Sequence, residues 1–361
     1  MKSVLVIGSG IHGLTVSYFL AKSGINVTIV DAKKEILAGT SAATHNRVNM
    51  GYHYPRSPET ALECLMGYEY LKENYSSLLK FPKECYYFID SNDSKVTADE
   101  YQNFCDHVGL KYELKMPTDG IINKEMVRGS FRVHEPCYDV DMFREYFKQK
   151  ILEHNILTVL GFTIREARVH NRKVFLESEH RQTFTGNFDG IVNCTYAATN
   201  NIQSIFGTEE PFKNYSFQKT EVAVVSCQYR IPPVTVMDGP FCTVLPYASC
   251  KNQYLLYDVE HSINKVEVGQ IMPSEMYTPG VSKYPLMLNK ASKYYPFMQD
   301  AVYEKSLWAT RPIPLLDKTD NRTTNVVKHE NHKCFYSVLE GKFVSAPMLG
   351  EKIANQVMEN L

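Results

Sequence analysis

Gly8, Gly10, Gly13 and Asp31 are the residues whose types and spacing carry the clearest chemistry in this chain. Gly8-Ser9-Gly10-Ile11-His12-Gly13 is a G-x-G-x-x-G turn. The first glycine of such a turn permits a tight reversal. The second lets a diphosphate approach the backbone with no Cβ in the way, and the third lets helix pack on strand. Uncovered N–H groups and the positive end of the helix dipole then face the phosphates. Asp31 suits the two hydroxyls of an adenosine ribose, and its charge disfavours a 2′-phosphate. Ile11 and His12 belong to the phosphate-facing turn and Ala32 follows the acid, so all three count with the binding residues.

The elements that must hold these groups are legible around them. Val4 to Ile7 is a short β-branched run of the kind found in a strand covered on both faces. Leu14, Tyr18, Phe19 and Ala21 recur at helical spacing, and Gly24 stops that helix. Val27 to Val30 makes a second apolar strand ending at Asp31. Strand, glycine turn, helix, strand and acid therefore occur in the order a βαβ dinucleotide site needs, and this context gives the short motif its weight.

Composition narrows the class. The chain has 361 residues, 44% hydrophobic and 22% charged, enough for two or three domains with substantial cores. Lys+Arg is 39 against Asp+Glu 40, with no basic run, which argues against a nucleic-acid ligand. No stretch approaches the roughly 20 apolar residues of a membrane-spanning helix. The N-terminus reads as a strand rather than a secretory leader, because Gly8 and Gly10 interrupt its apolar run. Nine scattered cysteines with no C-x-x-C pair suit a reducing compartment, so a cytoplasmic location is expected. HENH at 329–332 lacks the spacing of a zinc helix, and no metal site is expected.

After Asp31 a small-residue loop, Gly39-Thr40-Ser41-Ala42-Ala43, runs through Asn46 to Gly51. Together with the opening fingerprint, three further segments resemble the D-amino-acid oxidase-like superfamily of FAD-dependent oxidoreductases. This superfamily includes glycine oxidase, sarcosine oxidase and 2-hydroxyglutarate dehydrogenases. The loop from Thr40-Ser41 to Gly51 resembles the family's loop beside the pyrophosphate and isoalloxazine. Residues 139–196 resemble its middle cofactor segment, with Tyr196 where the family usually has Gly. WATRPIPLLD followed by LEGKFVSAPMLGEKIANQVM resembles the closing segment, where a turn feeds a helix whose N-terminus faces the flavin.

The resemblance implies an α/β fold: a Rossmann-type FAD-binding domain with an interleaved α+β substrate domain built on an antiparallel sheet. Residues 1–80, 138–214 and 305–361 would hold FAD, and 81–137 and 215–304 would form the substrate domain. The residues 84–89, 221–229, 241–247 and 253–259 read independently as strands of such a sheet, and 98–108 and 286–303 as helices. FAD binding is expected from Gly8, Gly10, Ile11, His12, Gly13, Asp31, Ala32, Thr40, Ser41, Asn46, Gly51, Gly341, Lys342 and Phe343. The flavin should be non-covalent, since no His or Cys stands where relatives attach it.

Hydride transfer from a C–N or C–O bond to flavin N5 is the implied reaction. The substrate would be an amine, amino acid, 2-hydroxy acid or sugar derivative, and oxygen or a quinone the electron acceptor. Arg311 matches the place where amino-acid-oxidising relatives hold a carboxylate, and its guanidinium offers a two-pronged fork for one. His53 and Tyr247 are candidates for the pocket, and Lys342 could favour reduced, anionic flavin. Two other readings stay open: an NAD-dependent dehydrogenase, and a non-catalytic dinucleotide-binding protein.

Overall fold

A computed structural model gives the fold and describes residues 1–208, 213–239, 241–247, 250–315, 324–330 and 334–361. The opening strand Ser3–Ile7 pairs in parallel with Asn26–Asp31 on one side and Gly190–Asn193 on the other. Leu157–Leu160 lies beyond 26–31. Phe335–Leu339, and then the antiparallel strand Asn325–Lys328, lie beyond 190–193. Val4, Leu5 and Val6 are wholly buried: Val4 and Val6 face residues of the helices, and Leu5 faces Ile164, Val174 and Leu176 together with Ile202 and Phe206. Their unbroken aliphatic sequence is the signature of that burial.

The helix Ile11–Lys22 leaves the opening strand and ends where Gly24 turns left-handed, at φ +82°. The Gly24 and Ile25 N–H groups return to the Ala21 and Leu20 carbonyls, satisfying the last turn. This helix packs on the chain's last helix, Ala346–Asn360, at a point where Gly350 meets Thr15. A Cβ on Gly350 would lie 2.6 Å from Thr15 Cγ2, so the close crossing depends on glycine. The helix Pro58–Tyr75 packs as closely on the turn before the last helix. There a Cβ on Gly67 would lie 2.9 Å from the Val344 carbonyl oxygen. Two glycine contacts thus bring the end of the chain back to its beginning.

A second, largely antiparallel sheet is built around the long strand Tyr215–Ser226. Val302–Pro314 runs along one side of it, and Ile263–Gly269 and Gln253–Asp258 along the other. Cys242–Pro246, Val234–Met237, Cys85–Asp90, Val127–Val133 and Tyr112–Leu114 continue the sheet in that order. The helix Tyr284–Tyr294 contributes Met287 and Ala291 to a core shared with Val225, Val244 and Leu256. This is the mixed architecture expected from the sequence, a parallel Rossmann-like sheet beside a mainly antiparallel one. A separate three-stranded sheet, Ile164–His170, Lys173–Ser178 and Thr183–Asn187, lies outside both.

Several boundaries differ from the sequence reading. The strand expected at 221–229 is Tyr215–Ser226, so it begins six residues earlier. The helix expected over 286–303 is Tyr284–Tyr294, followed by a 3₁₀ turn at Pro296–Asp300. Pro296 is the cause. It disfavours a helical residue before it, and Tyr295 is extended at φ −118°, ψ 97°. Among the described residues no helix is long and apolar enough to cross a membrane. All nine cysteines are free thiols.

Candidate active site

The opening turn separates the roles of its three glycines. Gly8 has φ +103°, and a Cβ there would lie 2.7 Å from the Cys194 carbonyl oxygen. A Cβ on Gly13 would lie 1.9 Å from the Gly8 carbonyl oxygen. Both positions are dictated by packing. At Gly10 the nearest atom to a Cβ is the Ser41 hydroxyl, at 3.4 Å, so this glycine alone leaves its outer face clear. Gly10 caps the helix without a side-chain hydrogen bond, and Ile11 N–H donates to Ser41 Oγ at 3.1 Å. The opening loop and the Thr40–Ser41 loop therefore meet at one helix N-terminus, a natural seat for an anion.

Asp31 braces this turn from behind. Its Oδ2 accepts from Ser9 N–H and, at 2.7 Å, from Ser9 Oγ, while its Oδ1 accepts from Lys33 N–H at 2.6 Å. The carboxylate thus shapes the turn, and Ala32 beside it is exposed. His12 is half-buried with both ring nitrogens sealed from solvent. Burial lowers its pKa to about 4; the adjacent Lys342 backbone pulls upward and the Lys342 charge downward.

Next to this turn lies a cavity of about 390 Å³. One wall is the loop carrying Thr40, His45, Arg47 and Asn49, and another is the C-terminal turn Gly341-Lys342-Phe343-Val344. The roof is one face of the second sheet. Thr220 and Val222, Phe241 and Thr243, Tyr257 and Val259, and Ala309 and Arg311 all line it. Each pair is spaced by two, as required when alternate residues of a strand face one way.

Arg311 lines this cavity. Its Nη2 donates to the Gln218 side-chain oxygen at 3.0 Å, and its Nε is buried with no hydrogen-bond partner. Among the described residues no carboxylate pairs with it, so a guanidinium faces the cavity with only a neutral partner. His53 also lines the cavity, stacked on Phe241 with ring centroids 4.2 Å apart. Gly341 approaches Tyr196, where a Cβ would lie 3.1 Å from the phenolic oxygen. Tyr196 itself sits at φ +56°. That left-handed backbone is the conformation glycine adopts most easily.

Of the other candidates, Thr40, Gly341, Lys342 and Phe343 line this cavity and Tyr247 does not. Tyr247 lines a separate one of about 50 Å³, with Asn46, Asp139 and Arg144. Its strand face is right but its position is not. Thr243, four residues earlier, is the one at the cavity, and Tyr257 on the neighbouring strand provides the aromatic wall. Lys342 lines the cavity, but its ammonium is buried and directed to carboxylates, 2.8 Å from Glu63 and 3.6 Å from Glu340. It ties the C-terminal turn to the helix Pro58–Tyr75 rather than offering an uncompensated cation. Gly51 has φ +114°, and its missing side chain makes room for Ala61, whose carbonyl oxygen a Cβ would approach to 2.8 Å. Phe343 stacks on Tyr138, with centroids 3.7 Å apart and planes 6° from parallel. Asn46 is fully buried with both side-chain polar atoms unpartnered. In the HENH segment, His329 is buried against Ser337 Oγ at 2.8 Å, and His332 lies outside the described residues.

Sequence reasoning missed three basic residues of the cavity wall, Arg47, Arg56 and Lys95. Arg47 is buried, and its guanidinium bonds Glu135 at 2.8 Å and also Tyr87 and Thr235. Glu135 accepts in addition from Tyr87 at 2.7 Å and from Met50 N–H at 3.0 Å. Burial pulls the Arg47 pKa down, but Tyr87 and Glu135 more than reverse this, so the guanidinium stays charged. Burial pushes the Glu135 carboxyl up, against the opposing pull of Arg47. Arg56 and Lys95 complete the wall. The His-Asn-Arg triplet at 45–47 was visible in the loop, but its acidic partner stands 88 positions away, beyond any local pattern. Outside the cavity, Asp258, Glu260 and His261 cluster closely, but Lys290 already sits 3.4 Å from Asp258 and 3.1 Å from Glu260.

The residues present fit an adenine dinucleotide that carries a flavin. Gly10 leaves an open face at a helix N-terminus met by Ser41, Asn46 keeps a buried amide with no partner, and the large cavity is bounded by the turn before the last helix. A Rossmann-like sheet joined to a roofing sheet, with basic side chains between them, defines a flavin-type oxidoreductase. The chain belongs to the DAO family of FAD dependent oxidoreductases, whose model matches residues 3–356. It is 23% identical over 372 residues to the FAD-dependent monooxygenase FPY4 of Fusarium mangiferae, covering 98% of this chain and 91% of that one. It is 37% identical over 70 residues to a D-amino acid dehydrogenase of Vibrio cholerae serotype O1, which covers 18% of this chain and 17% of the relative. The fold is similar to that of glycine oxidase from Geobacillus kaustophilus, with a TM-score of 0.74 at 14% identity, covering 100% of this chain and 96% of the other.

Proposed function

We propose that this FAD-dependent oxidoreductase oxidises a C–N or C–O bond beside a carboxylate, in an amino acid, a 2-hydroxy acid or a related acidic sugar. The observation that carries this reading is Arg311, a guanidinium at the cavity whose recorded partner is the neutral Gln218. Such a fork gains most from a carboxylate placed against it. The flavin, when bound, supplies the electron sink. The chain's own residues orient the substrate under the roof. Arg311 fixes the carboxylate, Tyr257 and Phe241 supply flat walls, and His45 and His53 offer ring nitrogens near the cavity for the substrate's proton.

Gly8, Gly10, Ile11, His12, Gly13 and Asp31 are assigned to the adenosine diphosphate. Thr40, Ser41, Asn46 and the 341–343 turn are assigned to the flavin side. Segments 1–80, 138–214 and 305–361 form the cofactor domain, and 81–137 and 215–304 the substrate domain, with the strand Val302–Pro314 as the seam. Oxygen or a quinone re-oxidises the flavin.

The decisive experiment is anaerobic screening of amino acids, N-methyl amino acids and 2-hydroxy acids for loss of flavin absorbance. Bleaching by a carboxylate-bearing compound, lost in Arg311→Ala, is the expected result. Acid precipitation should release all the flavin into solution. A second reading, oxygen insertion, is favoured by the likeness along almost the whole chain to a protein named as a monooxygenase. It predicts flavin reduction by a nicotinamide and label from ¹⁸O₂ in the organic product, neither of which the first reading requires.

A further inference from the structure

The cavity's charge is distributed unevenly. Among the described residues no Asp or Glu lines it, whereas Arg47, Arg56, Lys95, Arg311 and Lys342 do. Three of these cations are answered from behind the wall: Arg47 by Glu135, Arg56 by Asp238 at 2.7 Å, and Lys342 by Glu63. Arg311 and Lys95 have no carboxylate partner among the described residues.

Arg311 stands on the roof and Lys95 in the wall, and the strands they lie on or follow are not neighbours. Arg311 lies on Val302–Pro314, and Lys95 follows Cys85–Asp90. Between those strands come Tyr215–Ser226, Gln253–Asp258, Cys242–Pro246 and Val234–Met237. That is five interstrand steps, roughly 24 Å of backbone at about 4.8 Å a step. Long basic side chains shorten the gap, yet a compact amino acid cannot bridge it and an extended molecule can.

The Lys95 end is firmly built. Lys95 N–H donates to the Asp238 carbonyl at 2.9 Å, and Asp238 N–H donates to Ser94 Oγ at 3.1 Å. Gly239 has φ +113°, and a Cβ there would lie 2.8 Å from the Asp93 carbonyl oxygen. The Asp238 carboxylate holds Arg56 and is itself 1% exposed. Arg56 is thereby neutralised and positioned, and Lys95 is left as the net positive charge at the exposed end.

We propose that Lys95, with Arg56 beside it, forms a second anion subsite for a carboxylate or phosphate at the distal end of an elongated substrate. The near end of that substrate is the carboxylate at Arg311, so the inference rests on the function proposed above. The substrate class is then an acid carrying two anionic groups separated by an extended linker.

The test uses FAD-loaded protein and calorimetric titration with α,ω-dicarboxylates from succinate to dodecanedioate. Monocarboxylates of equal length, and ω-phosphono acids, are titrated alongside. One dicarboxylate length should bind at least about tenfold more tightly than its monocarboxylate. That advantage should disappear in Lys95→Gln and reverse in Lys95→Glu; both changes fall at an exposed position, so folding should survive. A stronger phosphono acid would identify phosphate as the distal group, and a stronger dicarboxylate a carboxylate. Dicarboxylates no tighter than monocarboxylates, or an advantage that persists in Lys95→Gln, overturns the subsite. If monocarboxylate binding still weakens in Arg311→Lys, the Arg311 reading survives that failure. If it does not, both readings fall.

Discussion

Arg311 donates to Gln218 across two neighbouring antiparallel strands, 3.0 Å from nitrogen to oxygen, and the two residues are directly paired in the sheet register. The amide orients the guanidinium without neutralising it. Arg311→Ala should therefore weaken a carboxylate ligand by about 2–5 kcal/mol, the range for removing one partner of a buried charged pair. Gln218→Ala should cost less, since it disturbs orientation and leaves the charge. Titration of flavin absorbance with a carboxylate inhibitor measures both, and equal affinities for wild type and Arg311→Ala would remove Arg311 from the site.

Asp31 has two roles that one substitution can separate. Its carboxylate accepts from Ser9 and Lys33 in the fold, besides standing where a ribose would lie. Asp31→Ala should lower FAD affinity, and it should also destabilise the flavin-free protein by about 1–3 kcal/mol through unsatisfied donors. Thermal unfolding of the apoprotein checks the second effect. An unchanged apoprotein melting temperature would mean that the carboxylate serves the ligand alone.

Tyr257 lines the large cavity and Tyr247 does not. Tyr257→Phe should change kcat/KM for the eventual substrate, while Tyr247→Phe should leave it within error. The opposite pattern would show that the substrate enters by the smaller cavity.

His12 supplies a pH test. Burial holds its folded pKa at about 4, below the ordinary value of 6.5. Between these values the unfolded chain binds the proton and the folded one does not, so stability rises with pH there. The contribution is fully present above pH 6.5 and is lost as pH falls toward 4. Chemical denaturation across that window should show a steeper loss in wild type than in His12→Gln. Parallel curves would mean that the ring is hydrated in solution.

The glycine contacts explain why so much of the architecture could be read from the chain. Gly13 and Gly24 each meet a local demand, a turn or a helix end, and such demands leave their mark within a few residues, whereas Gly8 also makes room for the distant Cys194 carbonyl. Strand periodicity similarly forecast the sheet around Tyr215–Ser226, although its ends moved by several residues. Pro296 ended a helix that periodicity alone would have continued. Arg311, which lines the cavity, could be singled out because it lies in a segment with a distinctive sequence.

What the linear order alone determined was therefore the βαβ unit, the acid that ends its second strand, and the alternation that turns one sheet face inward. These rest on neighbours within a turn or a strand. Only the tertiary structure decided which charged groups are answered and which remain available. Glu135 meets Arg47, Asp238 meets Arg56, and Glu63 meets Lys342 across 88, 182 and 279 positions. Electrostatic pairing depends on distance in space, and chain separation carries no record of that distance until the sheets have closed around the cavity.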